Sequence, residues 1–155
     1  MRITIKIASV LILLFLMSSC GSSKKATRII TIQDKLEIEY QKYKGIPYKY
    51  GGTTKRGFDC SGFVNAVYFN AFNIDLSRTT TLMSKQGEKI SKSKLKPGDL
   101  VFFRPSRKYM HMGIYVGHGL FMHSSTSKGI IKSRLDNVYW KGKYKYARRI
   151  FKTKR

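Results

Sequence analysis

Cysteine is nearly absent from this chain, with two in 155 residues, at positions 20 and 60. Acidic residues are scarce as well: eight Asp and Glu stand against 31 Lys and Arg, a formal net charge of +23. There are three histidines, three prolines and one tryptophan. Each shortage excludes something. Two cysteines cannot build a disulfide framework or a paired-cysteine zinc site. No HExxH occurs, so the usual zinc-peptidase signature is missing. The basic charge is not accompanied by paired zinc ligands or an aromatic RNP-type run, so the common nucleic-acid modules are not there either. The apolar stretch Ile7–Met17 is shorter than the roughly 20 residues that span a bilayer. No internal repeat is visible, and the length suits one domain.

What is present begins with the leader. Arg2 and Lys6 form a positive start, Ile7–Met17 is nearly all apolar, and Ser18 and Ser19 are small residues before Cys20. That order is a secretory signal, and a cysteine directly after small residues is similar to a bacterial lipobox. The expectation is a signal peptide over residues 1–19, cleaved before Cys20, with lipid on Cys20 holding the protein to a membrane without crossing it. An uncleaved anchor in which Cys20 is incidental is the alternative. Residues 20–28 are small, polar and basic and read as a flexible tether, leaving 29–155 as a single domain. Export disfavours nucleic acid as the partner of the basic surface. An anionic cell envelope fits it, as does a solvating surface with no single partner.

Along the domain, Ile32, Leu36, Tyr40 and Tyr43 recur at helical spacing, with Asp34, Glu37 and Glu39 between them, predicting a helix over Ile29–Lys44. Gly45-Ile46-Pro47 breaks it, and Tyr48–Gly57 reads as a loop. Phe63, Val64, Val67, Tyr68, Ala71 and Phe72 mark one apolar face of a second helix over Asp59–Asn73, with Asp59 suited to its N-cap. Ser77–Gln86 reads as a third, shorter helix or a helical turn. Strands are expected at Asp99–Phe103, His111–Val116 and Leu120–Ser124, with further strand near Ile130-Ile131 and Val138-Tyr139. Helices first and strands after argue an α+β fold with an antiparallel sheet.

With Cys20 lipidated, Cys60 is the one free thiol, and it opens the second helix. A thiol attacks only as thiolate, and a helix N-terminus favours that form. The same backbone N–H groups can receive an oxyanion. A buried, inert cysteine is the ordinary alternative. The histidines weigh against it. A turn centred on His118 sets His111 diagonally from His123 on one sheet face, so His111 can serve Cys60 as base while His123 orients it. His118 itself sits in the turn and is assigned no role. A zinc ion held by the Cys-His-His set is the competing reading, and it lacks the ligand spacing such sites show.

Taken in order, Gly45-Ile46-Pro47-Tyr48-Lys49-Tyr50-Gly51-Gly52, FDCSGFV, Ser77-Arg78-Thr79, PGDLVFF, HMGIYVG and Phe121-Met122-His123-Ser124-Ser125 resemble the NlpC family of papain-like cell-wall peptidases. The match is collinear over roughly residues 30–150, and the short lipoprotein members are the most similar. The resemblance implies a papain-like NlpC-type domain, with N-terminal helices packed on an antiparallel sheet. It implies a cysteine endopeptidase acting on peptidoglycan stem peptides, at the D-γ-glutamyl–diaminopimelate bond or at the cross-link between stems. Cys60 matches the nucleophile, His111 the base and His123 the third polar residue. Tyr48 matches a tyrosine near the active site, Asp59 and Ser61 match positions that help bind the stem, and Arg78 matches a recurrent arginine whose other reading is a structural ion pair. No cofactor and no metal are implied, and a monomer is expected. Gly21 after the lipid site, by the same analogy, implies the periplasmic face of the outer membrane in a host with two membranes. An amidase or acyltransferase on the same fold, or a lipid-anchored wall-binding protein without activity, are the alternatives.

Overall fold

Helix formation starts where the sequence supplies its caps. In the computed structural model, which describes residues 29–151, α1 runs Ile32–Tyr43. Thr31 accepts from the Asp34 N–H at 3.1 Å, and the Asp34 carboxylate accepts from the Thr31 N–H at 3.0 Å, a reciprocal capping box. The leader, Cys20 and the tether lie outside the described residues. Leu36, Tyr40 and Tyr43 are buried as the spacing predicts, but Ile32 is 39% exposed and Glu39 is buried, its carboxylate 2.5 Å from Lys42. The helix stripe is therefore rotated toward Glu39. The segment that follows is not all loop. It folds into a small hairpin, β1 Thr53–Thr54 against β2 Gly57–Phe58.

β2 leads straight into α2, Cys60–Phe72, capped by Asp59 and closed by Asn73 in the left-handed conformation, φ 55°. Phe63, Val64, Val67 and Tyr68 are fully buried, each contributing roughly 1.5–3 kcal/mol by leaving water. Tyr43 anchors α1 to this helix: its ring meets Phe58 edge-on at 5.3 Å, and its hydroxyl accepts from Asn70 at 2.6 Å. Within Ser77–Gln86 the chain makes a single helical turn, α3 Thr80–Met83.

A six-stranded sheet follows. β3 is Glu88–Ile90, β4 Leu100–Phe103, β5 His111–Gly117, β6 Leu120–Ser125, β7 Gly129–Arg134 and β8 Tyr144–Arg149. Their order is β3-β8-β4-β5-β6-β7, and neighbours are antiparallel throughout. The sheet is buried on both faces. Leu100, Phe102, Met112, Ile114 and Met122 face α1 and α2, whereas Val101, Phe103, Phe121, Leu135 and Ala147 form a second cluster behind it. That is why Leu100–Phe103 reads as a continuous apolar run rather than an alternating one.

One expectation needs correction, and two strands are additions to it. Val138-Tyr139 is not strand but the start of a short helix, α4 Val138–Lys141, because the Asn137 side chain caps the Tyr139 N–H at 2.8 Å and Val138 has no face to bury. β3 and β8 were not anticipated from sequence. Their lysines and arginines obscure a period of two, and the Arg148 guanidinium lies over the Tyr146 ring at 5.9 Å. Six of the eight acidic residues are committed to caps or ion pairs, Asp99 with Arg149 at 2.7 Å being the most buried.

Candidate active site

The start of α2 is held from three directions. The Asp59 N–H donates to Gly52 O at 3.0 Å, and the Phe58 N–H to Pro47 O at 3.1 Å, so the segment from Pro47 to Gly52 braces the helix entry. Gly62 packs against the Gly52 carbonyl so closely that a Cβ would overlap it. Asp59 Oδ1 accepts from the Gly62 N–H at 2.6 Å and from the Ser61 hydroxyl at 3.0 Å. Arg78 grips the same carboxylate with both guanidinium arms, 2.7 Å to Oδ2 and 3.2 Å to Oδ1, and also donates to Ser61 at 3.0 Å. Burial works against the Asp59 charge, but Arg78, Gly62 and Ser61 outweigh it and hold the carboxyl below its ordinary value.

Cys60 is therefore the first residue of a capped 13-residue helix, with its thiol at the positive end of the macrodipole. Its Sγ lies 3.4 Å from the Thr80 hydroxyl on α3 and 3.9 Å from the Tyr109 hydroxyl. Tyr109 also stands 3.4 Å from His111 Nδ1. His111 Nε2 meets His123 Nδ1 at 2.9 Å, and His123 Nε2 meets the Ser133 hydroxyl at 2.9 Å. The β5–β6 register puts Ile114 opposite Met122, which makes the two imidazoles diagonal neighbours as the turn at His118 predicts. His118 occupies that turn with φ 52°.

Both imidazoles are almost inaccessible, at 3% and 1% exposure. Burial pushes His111 down to about 4, and burial together with His111 pushes His123 down to about 3. At neutral pH both are uncharged, the form a general base needs. Trp140 stacks on His111, ring centres 5.2 Å apart, and meets His123 edge-on at 5.1 Å.

Two clefts open here. One, of about 370 Å³, is lined by Tyr48, Asp59, Cys60, Ser61, Arg78 and Thr80. The other, of about 560 Å³, is lined by the two histidines, Ser125, Lys128, Ser133 and Trp140 among others. Tyr109 lines both. The structure thus gathers Tyr48, Asp59, Cys60, Ser61, Arg78, His111 and His123 at one end of the sheet. Thr80, Tyr109, Ser133 and Trp140 belong to the same site and were not singled out from sequence. Trp140 is the chain's one tryptophan, and Tyr109 stands two residues before His111, but nothing short of the strand register points to Ser133.

The NlpC/P60 family pattern matches residues 45–149. The probable endopeptidase NlpC of Escherichia coli is 41% identical over 149 residues, covering 91% of this chain and 97% of that protein. The murein DD-endopeptidase MepS/murein LD-carboxypeptidase of Escherichia coli is 38% identical over 135 residues, 87% of this chain and 72% of that protein. Among solved structures, a lipoprotein-like NLP/P60 family protein from Staphylococcus aureus superposes with a TM-score of 0.70 at 31% identity, covering 79% of this chain and 42% of that one.

Proposed function

This chain belongs to the NlpC/P60 family, and from that premise we propose that it is a peptidoglycan hydrolase, a cysteine endopeptidase of stem peptides. The observation that carries the reading is one arrangement. The one thiol among the described residues sits at a helix N-terminus, within one side chain's reach of a buried, neutral pair of histidines. Cys60 attacks the scissile carbonyl as thiolate, with the N–H groups of α2 that precede the Asp59-capped Gly62 facing the oxyanion. His111 takes the thiol proton and returns it to the leaving amine, then draws one from water to release the acyl-enzyme. His123, backed by Ser133, fixes the ring of His111. Asp59, Ser61 and Arg78 line the thiol-side cleft with Tyr48 and receive the acyl half of the stem. The relatives are named a DD-endopeptidase in one case and a DL-endopeptidase in another, so the family name alone does not choose the bond.

The same reading places the protein in the cell envelope, with residues 1–19 removed, lipid on Cys20 and the catalytic domain on a short tether, acting as a monomer. The apolar leader and the small residues before Cys20 support it. Cys20→Ala should release the protein from sedimented membranes while muropeptide cleavage persists. Continued sedimentation would refute the anchor.

The deciding test incubates the protein and its Cys60→Ala variant with purified muropeptide monomers and cross-linked dimers and weighs the products. Cleavage within the stem or at the cross-link, lost in the variant, establishes the endopeptidase. Release of intact stem from sugar would make it an amidase, and an inert thiol with no product would make it a binding protein.

A further inference from the structure

The thiol and the imidazole pair open into different clefts, and the side chain standing between them is Tyr109. Its hydroxyl is 3.9 Å from Cys60 Sγ and 3.4 Å from His111 Nδ1. It also interacts with the Tyr48 hydroxyl, and its ring is tilted against His111 at 6.1 Å. Tyr109 comes from the connection between β4 and β5, while Tyr48 approaches from the segment before β1. The charged and titratable groups around the thiol are thus Asp59 with Arg78 on one side and Tyr48, Tyr109 and His111 on the other.

Each neutral imidazole has one N–H. If His111 accepts at Nδ1, its Nε2–H donates to His123 Nδ1, and the Nε2–H of His123 donates to Ser133. Every bond in that chain then has one donor and one acceptor, and the free lone pair of His111 points at Tyr109. A phenol hydroxyl has one proton to give and lone pairs to receive with, and burial keeps that proton on the oxygen at neutral pH.

We propose that Tyr109 is a catalytic residue that bridges Cys60 to His111. The thiol S–H bond breaks as its proton passes to the Tyr109 oxygen, and the Tyr109 O–H bond breaks as its proton passes to His111 Nδ1. The products are thiolate, neutral phenol and imidazolium, with no net change in atoms or charge. The phenol then donates to the thiolate. Both contacts are long for hydrogen bonds, as apo catalytic contacts often are, and filling the two clefts draws them in. Return of the proton to the leaving amine follows from His111, which faces the second cleft.

The test is Tyr109→Phe, which keeps the ring and removes only the hydroxyl. Alkylation of Cys60 by iodoacetamide is followed against pH in the full chain, site-resolved by peptide mass spectrometry, with the thermal midpoint as a check on folding. The expected result is a rise of about one pH unit or more in the alkylation midpoint, since a donor to the thiolate is gone. Muropeptide turnover should fall about 10- to 100-fold with KM within about twofold. Combined with His111→Ala, the substitution should add little, because the bridge no longer leads anywhere. An unchanged midpoint would overturn the proposal and make the ring a spacer. Faster alkylation at neutral pH would overturn it too, making the hydroxyl a stopper that holds thiol and imidazole apart. The alkylation needs no wall substrate, so a bridged, reactive thiol in a protein that cuts no muropeptide would refute the endopeptidase and leave the bridge standing.

Discussion

The Ser124 hydroxyl donates to the Phe58 carbonyl at 2.8 Å, across 66 residues of chain. Phe58 is two residues before the thiol, and Ser124 is next to His123 but points to the opposite face of β6. One buried bond therefore ties the imidazole-bearing strand to the helix that carries Cys60.

Ser124→Ala should loosen that tie without unfolding the domain. The Phe58 carbonyl keeps its bond from the Lys49 N–H at 3.1 Å, so the loss should be about 1 kcal/mol rather than the full cost of an orphaned acceptor. Thermal denaturation should show a drop of a few degrees, and kcat should fall more than stability explains. An unchanged kcat would mean that other contacts keep the two halves aligned.

Acid should destabilise the fold through the histidines. Their folded values, about 4 and about 3, lie below the unfolded value near 6.5, so the unfolded chain binds more protons in between. The contribution is fully present above the unfolded value and is lost as pH falls from about 6.5 toward 4 and below. For His111 it amounts to about 3 kcal/mol. Denaturant titrations between pH 7 and pH 4 should show this slope, and His111→Gln should flatten it. A slope identical in the variant would assign the acid sensitivity to groups other than His111.

Gly62→Ala should be a damaging single-methyl change at the start of the helix that carries Cys60. The added Cβ would overlap the Gly52 carbonyl and approach Asp59 Oδ1 to 3.2 Å. Overpacking of this kind costs about 1–3 kcal/mol, and the backbone that must yield is the one bracing Cys60. Thermal melts and thiol alkylation should both register it. A neutral outcome would show that the Pro47–Gly52 segment can retreat without moving the helix start.

Arg78→Lys should behave like a loss rather than a conservative change. A single ammonium cannot meet both Asp59 oxygens and Ser61 as the guanidinium does. Arg78 is partly solvated, so stability should drop by no more than about 1 kcal/mol. Turnover of muropeptides should drop about tenfold or more. Equal activity would reduce Arg78 to a surface ion pair.

That Cys60, His111 and His123 come together was legible in the sequence because each is tied to local signals. Cys60 opens an apolar helix behind an Asp cap, and a Gly-His-Gly turn fixes how far His111 lies from His123. Arg78 and Ser61 were legible only through the family pattern, since nothing local says that they share the Asp59 carboxylate. Tyr109 and Ser133 were not legible. One comes from an irregular connection, and the other depends on the β6–β7 register. β8 escaped notice because it is recruited by pairing with β3 and β4 rather than by its own propensity. Trp140 was hidden by α4, where an asparagine cap overrides two residues with strand preference.

With most of its acidic side chains held in caps and ion pairs, the protein has little negative charge left to offset the lysines and arginines on its surface. Ionic strength then acts on it in two opposite senses. Salt at physiological levels shortens the reach of each charge to about 8 Å, which relieves repulsion among the cations and favours the folded chain. The same screening weakens any hold those cations have on an anionic polymer. Dilute surroundings would press the protein against its substrate and strain its fold, while concentrated ones would steady the fold and set it free to move.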